Sequence, residues 1–223
     1  SLPEELRTAQ LDISAAHTDK PSFFKRLWNV KYLLWCFFLP AALMWLIYIA
    51  MKVYPFGEES VLVLDLNAQY VYYFEWLRRL LHGEGSFLYT FERTLGGEFL
   101  GIFAYYLASP FSAIVALFPK KMITEALLVM FLLKTGLCGL TFGTYLHKTR
   151  PRNPVAVVIF STMYALCAYA VVQQHNTMWI DAVMWLPLIT LGIESIIKHG
   201  KFKLYVVALA IAVFSNYYIG YMI

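Results

Sequence analysis

The carboxylate of Asp65 lies near the start of an aromatic-rich stretch, VLVLDLNAQYVYYFEWLRRLLHG at 61–83, which follows an apolar run. An aspartate at this position can be a helix N-cap, with its side chain accepting the amide hydrogens of Asn67 or Ala68. It can also be a general base, or a ligand for a cation, at the edge of a membrane cavity. The two roles are compatible, because a capping carboxylate is held in place and can still face a cavity.

Polar and aromatic side chains follow Asp65 at helical spacing. Positions i, i+4, i+7 and i+11 share one helix face, and in this stretch they hold Asp65, Gln69, Tyr72 and Trp76. We therefore predict a helix that presents the carboxylate beside a polar and aromatic face. Gln69 and the neighbouring Tyr70 are our candidates for contacts with a substrate.

A glycine pair lies close to two charged residues in FERTLGGEFLG, residues 91–101. Arg93 is a candidate phosphate ligand, because its guanidinium group matches phosphate oxygens with paired hydrogen bonds. Glu98 is a second candidate substrate-binding residue. Gly96 and Gly97 allow the backbone to approach a ligand closely, and the pair is equally typical of a tight turn between two surface helices.

A dense polar run, QQHNTMWID at 173–181, lies between two apolar segments. Its side chains offer both hydrogen-bond donors and acceptors, a set suited to a hydroxyl-rich ligand. We predict that Gln174, His175 and Asn176 bind substrate. Asp181 begins the next apolar segment, where a carboxylate is costly unless it is paired or hydrated, and we predict a substrate-binding role for it as well.

Lys134 raises the same question inside another apolar segment. It lies about ten residues into 124–147, which is roughly 15 Å deep at the rise of an α-helix. Its ammonium group needs a partner, and we expect this to lie either in a part of the protein beyond this sequence or in a lipid phosphate. The sequence leaves both a structural and a functional role open for Lys134.

The composition is that of a membrane protein. Of 223 residues, 60% are hydrophobic and 14% are charged, whereas soluble domains average about 45–50% apolar and about 25% charged residues. Nucleic-acid binding is not expected, because there is no basic face on a polar domain. We find no nucleophile–base motif, glycine-rich phosphate loop or HExxH sequence, so hydrolase and NTPase functions have no support. A divalent cation is possible as a cofactor, but no ligand motif supports one, so we assign no metal-ligating residues and leave metal dependence open.

Five apolar segments have about the 20 residues that a helix needs to cross a bilayer. They are 31–53, 124–147, 154–172, 179–198 and 203–223. A sixth segment, 101–119, is broken by Ser109-Pro110, since proline removes a backbone donor and disfavours helix at the preceding residue.

The distribution of basic residues decides whether 101–119 spans, because cytoplasmic loops are enriched in Lys and Arg. If it does not span, most basic residues share the cytoplasmic side: Lys25, Arg26, Lys31, Lys148, Arg150, Arg152, Lys198, Lys201 and Lys203. We therefore predict a cytoplasmic tail at 1–30 and a transmembrane part at 31–223. Residues 101–119 would form a surface or re-entrant helix pair within a long external loop at 54–123, and a second external loop would follow at 172–179.

Several long motifs resemble the YfhO family of bacterial integral membrane proteins. They are VLVLDLNAQYVYYFEWLR, LGGEFLGIFAYYLASPFSAIVALFP, LLKTGLCGLTFGTYL, VQQHNTMWIDAVMWLPLITLGIE and SNYYIGYMI. The resemblance runs from about residue 30 to the last residue and covers the N-terminal portion of the family. The last motif ends within an apolar segment, and we expect the chain to be part of a longer polytopic protein.

The resemblance implies an all-α membrane fold of the GT-C glycosyltransferase class. In that class a long first external loop carries an essential acidic residue and two membrane-parallel helices, and the matching acid here is Asp65. The class takes a sugar from a polyprenyl-phosphate donor and transfers it on the outer side of the membrane. Family members are implicated in decorating cell-wall polymers, including lipoteichoic acid, which implies an envelope glycopolymer as acceptor and the bacterial cell membrane as location.

Two other functions compete with glycosyl transfer. A flippase or transporter of lipid-linked substrates would have polar residues along the membrane path and helices broken by Gly or Pro, whereas polarity here is concentrated at the predicted outer face. A non-catalytic membrane scaffold would need Asp65 for stability alone. The catalytic hypothesis assigns Asp65 as general base, the 174–176 run as sugar or phosphate ligands, and Arg93 as the partner of the leaving phosphate.

Overall fold

The computed structural model describes residues 31–91, 95–149 and 153–223, and over these ranges the chain is mainly helical. Contacts group Leu33–Ile223 into one unit. The α-helices are α1 (Tyr32–Ala50), α2 (Val71–Leu81), α3 (Leu100–Ile102), α4 (Ile123–Thr149), α5 (Pro154–Ala165), α6 (Ala168–Val172), α7 (Thr177–His199), α8 (Lys203–Ser215) and α9 (Tyr217–Gly220).

Short helical segments of other types and one small β-hairpin complete the described structure. The π-helical turns are Leu66–Tyr70 and Phe103–Leu107, and the 3₁₀ segments are Pro110–Leu117, Lys120–Met122 and Gln173–His175. Strands β1 (Tyr89–Thr90) and β2 (Gly97–Glu98) pair in antiparallel fashion, with Tyr89 opposite Glu98. The hairpin lies between α2 and α3.

Three helical stretches are long and apolar enough to cross a membrane, and they are α1, Lys120–Thr149 and α7. Two bent pairs would each add one span. One pair is Pro154–Ala165 with Ala168–His175, bent by 45°, and the other is Leu100–Leu107 with Pro110–Leu117, bent by 101°. The described residues therefore contain three to five possible spans, which confirms the predicted all-α polytopic class.

The bend of 101° lies at the Ser109-Pro110 break. Ser109 is extended, and its hydroxyl accepts a hydrogen bond from the Phe111 amide at 3.3 Å, so that it caps the 3₁₀ segment in which Pro110 comes first. Proline is favoured at that position because its missing N–H would have no helical partner. The predicted break is therefore a sharp hinge between two short apolar helices.

The ends of α1 and α4 on either side of the bent pair lie close together. Tyr54, shortly after α1, hydrogen-bonds the carboxylate of Glu125 in the first turn of α4, and this hydrogen bond and the charge of Glu125 raise the pKa of Tyr54. The chain therefore leaves α1 and enters α4 at the same end of the unit. The placement of 101–119 as a surface or re-entrant pair stays a prediction.

The apolar segment predicted as a span at 203–223 is interrupted. Helix α8 ends at Ser215, Asn216 is extended with φ −159° and ψ 108°, and α9 begins at Tyr217. The Asn216 side chain accepts from the Ile219 amide at 2.8 Å and donates to the Tyr105 carbonyl at 2.8 Å. An asparagine side chain can compete with helical backbone bonds in this way, so the prediction of one continuous span was wrong.

Helices α1 and α4 cross at glycine. A β-carbon added at Gly139 would lie 2.1 Å from the carbonyl oxygen of Cys36, whereas one added at Gly136 would meet the ring of Phe37. Small residues allow the backbones of membrane helices to approach each other closely. Gly139 therefore marks the point at which α1 and α4 are in backbone contact.

Candidate functional site

Asp65 lies in the first helical turn after the loop that follows α1, and its side chain is exposed. Its backbone is already helical, with φ −64° and ψ −26°. Its carboxylate makes no capping hydrogen bond to a backbone amide of the π-helical turn that it precedes, Leu66–Tyr70. The interpretation of Asp65 as an N-cap is therefore wrong. The carboxylate is available for another role.

The helix face predicted from spacing is divided by the π-helical turn Leu66–Tyr70. Asp65, Gln69 and Tyr72 are exposed, whereas Trp76 is buried and packs edge-on against Phe99. A π-helical turn inserts one extra residue and shifts the register of the residues that follow. The inward face holds Tyr70 instead of Tyr72, together with Leu66, Phe74 and Leu77.

Tyr70 joins Asp65 to the polar run that follows α6. Its hydroxyl lies 3.4 Å from Oδ2 of Asp65 and 3.2 Å from Oδ1 of Asn176. A tyrosine hydroxyl carries one hydrogen, so it can donate fully to only one of these acceptors at a time. Burial, followed by the negative charge of Asp65, raises the pKa of Tyr70 and keeps its hydroxyl protonated.

Asn176 is buried and connects further members of the same group. Its Nδ2 donates to Oε1 of Gln173 at 2.9 Å and lies 3.1 Å from Nε2 of His175. We call Asp65, Tyr70, Gln173, His175 and Asn176 the Tyr70 cluster. The structure thus brings together an exposed carboxylate and three polar side chains that are more than 100 positions away in sequence.

Gln174 belongs to a second group, directed between the helices. It accepts a hydrogen bond from the hydroxyl of Tyr48 in α1 and donates to Oγ1 of Thr135 in α4 at 3.3 Å. These contacts use both ends of its amide. Gln174 therefore ties the 3₁₀ segment Gln173–His175 to α1 and α4, while its neighbours on either side contribute to the Tyr70 cluster.

Lys134 and Asp181 form a buried ion pair between α4 and α7. The distance from Nζ to Oδ2 is 2.9 Å, and the two residues expose 2% and 0% of their surface. Ser109 donates to the other carboxylate oxygen at 3.0 Å, and Lys134 also donates to the Thr177 carbonyl at 2.8 Å. Paired and hydrogen-bonded in this way, two buried charges are tolerated in an apolar environment.

The partner of Lys134 is therefore Asp181, within this chain. Both oxygens of Asp181 are engaged by protein groups, and the pair connects α4, α7 and the hinge of the bent pair. Thr177, whose carbonyl Lys134 contacts, directly follows Asn176 of the Tyr70 cluster. Two opposite charges inside separate apolar segments were the sequence signal for this pairing, although spacing alone did not identify Ser109 as its third member.

The other predicted site residues lie apart from these two groups or outside the described residues. Arg93 falls in the interval 92–94, which the structure does not describe. Glu98 is exposed in β2, and its carboxylate accepts from the Gly101 amide at 2.6 Å. Gly96 has φ +95°, which supports the expected tight turn. Gln69 is exposed one position before Tyr70.

A metal site is not apparent in the part of the chain that the structure describes. Over those residues there is no group of three or more His, Cys, Asp or Glu side chains that could hold a metal ion. The chemistry available at the Tyr70 cluster is that of a carboxylate acceptor, a phenolic hydrogen, amides and an imidazole. Such groups can accept a proton and hydrogen-bond a hydroxyl-rich ligand.

The fold and the motifs agree with a comparison against protein families. The model of the family described as "Bacterial membrane protein YfhO" matches residues 36–223. The chain belongs to the YfhO family. Its membrane location follows from this membership and from the apolar helices described above.

One YfhO relative comes from Bacillus subtilis (strain 168) and is described as "Uncharacterized protein YfhO". It is 25% identical over 158 residues, a match that covers 62% of this chain and 18% of the relative. The chain thus spans under a fifth of the length of that protein. No solved structure matches the chain.

Proposed function

We propose that this YfhO protein is a membrane glycosyltransferase of the GT-C type. It would move a sugar from a polyprenyl-phosphate donor to an extracellular cell-envelope polymer such as lipoteichoic acid. The observation that supports this most directly is the Tyr70 cluster, in which a buried hydroxyl holds the exposed Asp65 carboxylate beside the buried amide of Asn176. An exposed acid next to hydrogen-bonding groups is the arrangement that general-base activation of a hydroxyl requires.

In the proposed reaction Asp65 takes the proton from an acceptor hydroxyl. The acceptor oxygen forms a bond to the anomeric carbon of the donor sugar, and the bond from that carbon to the phosphate oxygen breaks. The phosphate oxygen keeps the electron pair, so polyprenyl phosphate leaves as an anion. Arg93 is the residue that we assign to this phosphate.

Tyr70 would adjust its hydrogen bond as Asp65 changes protonation state. While Asp65 is ionised, the Tyr70 hydrogen stabilises the carboxylate. Once Asp65 is protonated, it can donate to the Tyr70 oxygen, and the Tyr70 hydrogen is then released to Oδ1 of Asn176. Tyr70 therefore stays hydrogen-bonded to Asp65 in both states, at the distance of 3.4 Å, and Asn176 gains the Tyr70 hydrogen only when Asp65 is protonated, at 3.2 Å.

The remaining predicted residues take binding or positioning roles in this proposal. His175 and Asn176 would hydrogen-bond the sugar or phosphate, with Gln69 and Glu98 contributing from the preceding loop. Gln174 and Asp181 have side chains engaged within the protein, which favours a positioning role for both. Asp181 would act with Lys134 by holding the start of α7 next to Asn176.

A transporter is the alternative with an observation in its favour. Ionisable residues inside a membrane often mark ion or substrate pathways, and Lys134 and Asp181 are such residues. Their pair is closed by Ser109 and the Thr177 carbonyl, however, and both side chains are almost fully buried. This favours a structural connection over an open pathway.

The test of the proposed function is sugar transfer by the full-length protein reconstituted in liposomes. Purified polyprenyl-phosphate sugar and an envelope glycopolymer acceptor would be supplied, and Asp65→Asn would be compared with wild type. General-base catalysis contributes about 10²–10⁴-fold, so we expect at least a hundredfold loss of transfer. Glu75→Gln is the matched control. It also removes one carboxylate charge, but Glu75 lies on the following helix, α2, where it pairs with Lys120 at 2.7 Å and is not part of the Tyr70 cluster.

Three outcomes separate the candidate functions. Transfer by wild type and by Glu75→Gln, with loss in Asp65→Asn, supports the enzyme. Movement of the lipid-linked sugar across the bilayer without transfer to acceptor would indicate a transporter. Neither activity, with Asp65→Asn lowering only the melting temperature, would indicate a scaffold.

A further inference from the structure

A basic cavity lies at the end of the unit opposite to the Tyr70 cluster. It has two adjoining parts, of about 260 and 470 Å³, that share Ser195 and Leu204 in their walls. The cavity is formed where α4 and α7 end and α8 begins. The charged residues in its walls are Lys148, Glu194, Lys198, Lys201 and Lys203, and His199 lines it as well.

The charge of this cavity is strongly positive. Among the described residues that line it there are four lysines and one carboxylate. That carboxylate, Glu194, already accepts from Lys198 at 2.5 Å and from the Tyr145 hydroxyl at 3.2 Å. Its charge is therefore offset within the protein, and the positive field of Lys148, Lys201 and Lys203 is available to an anion.

The walls of the cavity are apolar as well as basic. Leu191, Phe202 and Leu204 line it, and Phe202 exposes 61% of its surface. The apolar outer face of α7 continues from the cavity at Ile197, which is 77% exposed. A free inorganic anion would gain nothing from these surfaces, whereas a molecule with both a phosphate and acyl chains would contact both.

We propose that this basic cavity binds the phosphate headgroup of an anionic phospholipid. Basic pockets between transmembrane helices are suited to such headgroups, and each nearby Lys or Arg strengthens the interaction. The lysines would contact the phosphate, and Leu204 and Phe202 would contact the glycerol backbone and first acyl carbons. The lipid would bridge α4, α7 and α8 at the end remote from Asp65, independently of the chemistry at that residue.

The experiment is a lipid titration of the full-length protein in detergent, followed by native mass spectrometry. Phosphatidylglycerol would be compared with phosphatidylcholine for wild type and for the double variant Lys201→Gln/Lys203→Gln. A lysine near a membrane surface contributes about fivefold in affinity, so the double variant should bind phosphatidylglycerol roughly 30-fold more weakly. The matched control is Lys120→Gln/Lys121→Gln, which removes the same charge near the start of α4.

The proposal predicts tighter binding of phosphatidylglycerol than of phosphatidylcholine, and a loss of affinity in the first double variant alone. Equal losses in both double variants would overturn it, because they would reflect net charge only. Equal affinity for both lipids would also overturn it. Displacement of the lipid by millimolar inorganic phosphate would identify a free phosphate as sufficient and would contradict the phospholipid assignment.

Discussion

At the scale of single residues, the proposed role of Asp65 depends on the one hydrogen of Tyr70. This hydrogen faces two acceptors, the Asp65 carboxylate and the Asn176 amide oxygen, and the ring that carries it is buried beside Tyr106. Because burial and the charge of Asp65 raise the pKa of Tyr70, the hydroxyl stays a donor throughout the physiological range. The carboxylate is thus exposed on one side and fixed on the other.

Replacement of the Tyr70 hydroxyl tests whether it orients the Asp65 carboxylate for sugar transfer. In Tyr70→Phe the ring remains, but Asp65 and Asn176 lose the hydroxyl that they share, and loss of such a buried donor costs about 1–3 kcal/mol. We expect a lower melting temperature and a clear decrease in sugar transfer, smaller than the decrease in Asp65→Asn. The control is Tyr73→Phe, because Tyr73 packs against the same Tyr106 ring. Equal transfer by both variants would remove Tyr70 from the mechanism.

At the scale of helices, the buried ion pair and the glycine crossing hold the elements that carry the site. Lys134 and Asp181 join α4 to α7, and Ser109 adds the hinge of the bent pair. Gly139 brings α4 into backbone contact with α1. The segment Gln173–His175 contacts both α1 and α4 through Gln174, so a shift of either helix would move the Tyr70 cluster.

Removal of one member of the ion pair should be far more harmful than removal of both. Lys134→Met leaves the Asp181 carboxylate buried without a counter-charge, which typically costs about 3–5 kcal/mol. The double variant Lys134→Met/Asp181→Leu should recover most of this loss, because buried pairs can be replaced by apolar residues at little cost. Thermal unfolding in detergent measures both effects. A double variant as unstable as the single one would contradict the assignment of Asp181 as the partner of Lys134.

The close approach of α1 and α4 at Gly139 can be tested by comparing two glycine substitutions in α4. Gly139→Ala would place a methyl group 2.1 Å from the fixed carbonyl oxygen of Cys36, so α1 and α4 must separate. Gly136→Ala would meet the ring of Phe37, which can move to another rotamer. We therefore expect a markedly lower melting temperature for Gly139→Ala than for Gly136→Ala. The reverse order would show that the two backbones are not in contact at Gly139.

Some helical features could be predicted from the sequence and others could not. Apolar segment length gave the long helices, and Ser109-Pro110 gave the hinge, because both follow from local chemistry. The π-helical turn at Leu66–Tyr70 and the break at Asn216 were not predicted, since each depends on packing against distant elements. For the same reason spacing favoured Tyr72, whereas the register shift places Tyr70 next to Asp65.

At the scale of the whole unit, different chemistry occupies the two ends. The Tyr70 cluster lies where α7 begins, and four lysines line the cavity where α7 ends. The excess of Lys and Arg on cytoplasmic loops leads us to predict that the lysine end is cytoplasmic and the Asp65 end is external. An external Asp65 end is also what the proposed sugar transfer to an envelope polymer requires.

This orientation can be tested by labelling engineered cysteines in intact cells. Tyr72→Cys and Lys201→Cys place thiols at exposed positions near opposite ends of the unit, in a background that lacks Cys36, Cys138 and Cys167. A membrane-impermeant maleimide should label Tyr72→Cys directly, and Lys201→Cys only after the membrane is permeabilised. Labelling in the opposite order would place Asp65 in the cytoplasm and contradict the proposed acceptor.

A single-turnover measurement tests most directly whether Asp65 is the general base. Full-length wild type and Asp65→Asn would first be saturated with polyprenyl-phosphate sugar and their donor Kd values compared, and acceptor would then be added. If Asp65 is the general base, the two donor Kd values are similar and the rate of sugar transfer is at least about a hundredfold lower in Asp65→Asn. An unchanged transfer rate, or a loss explained entirely by weaker donor binding, would contradict it.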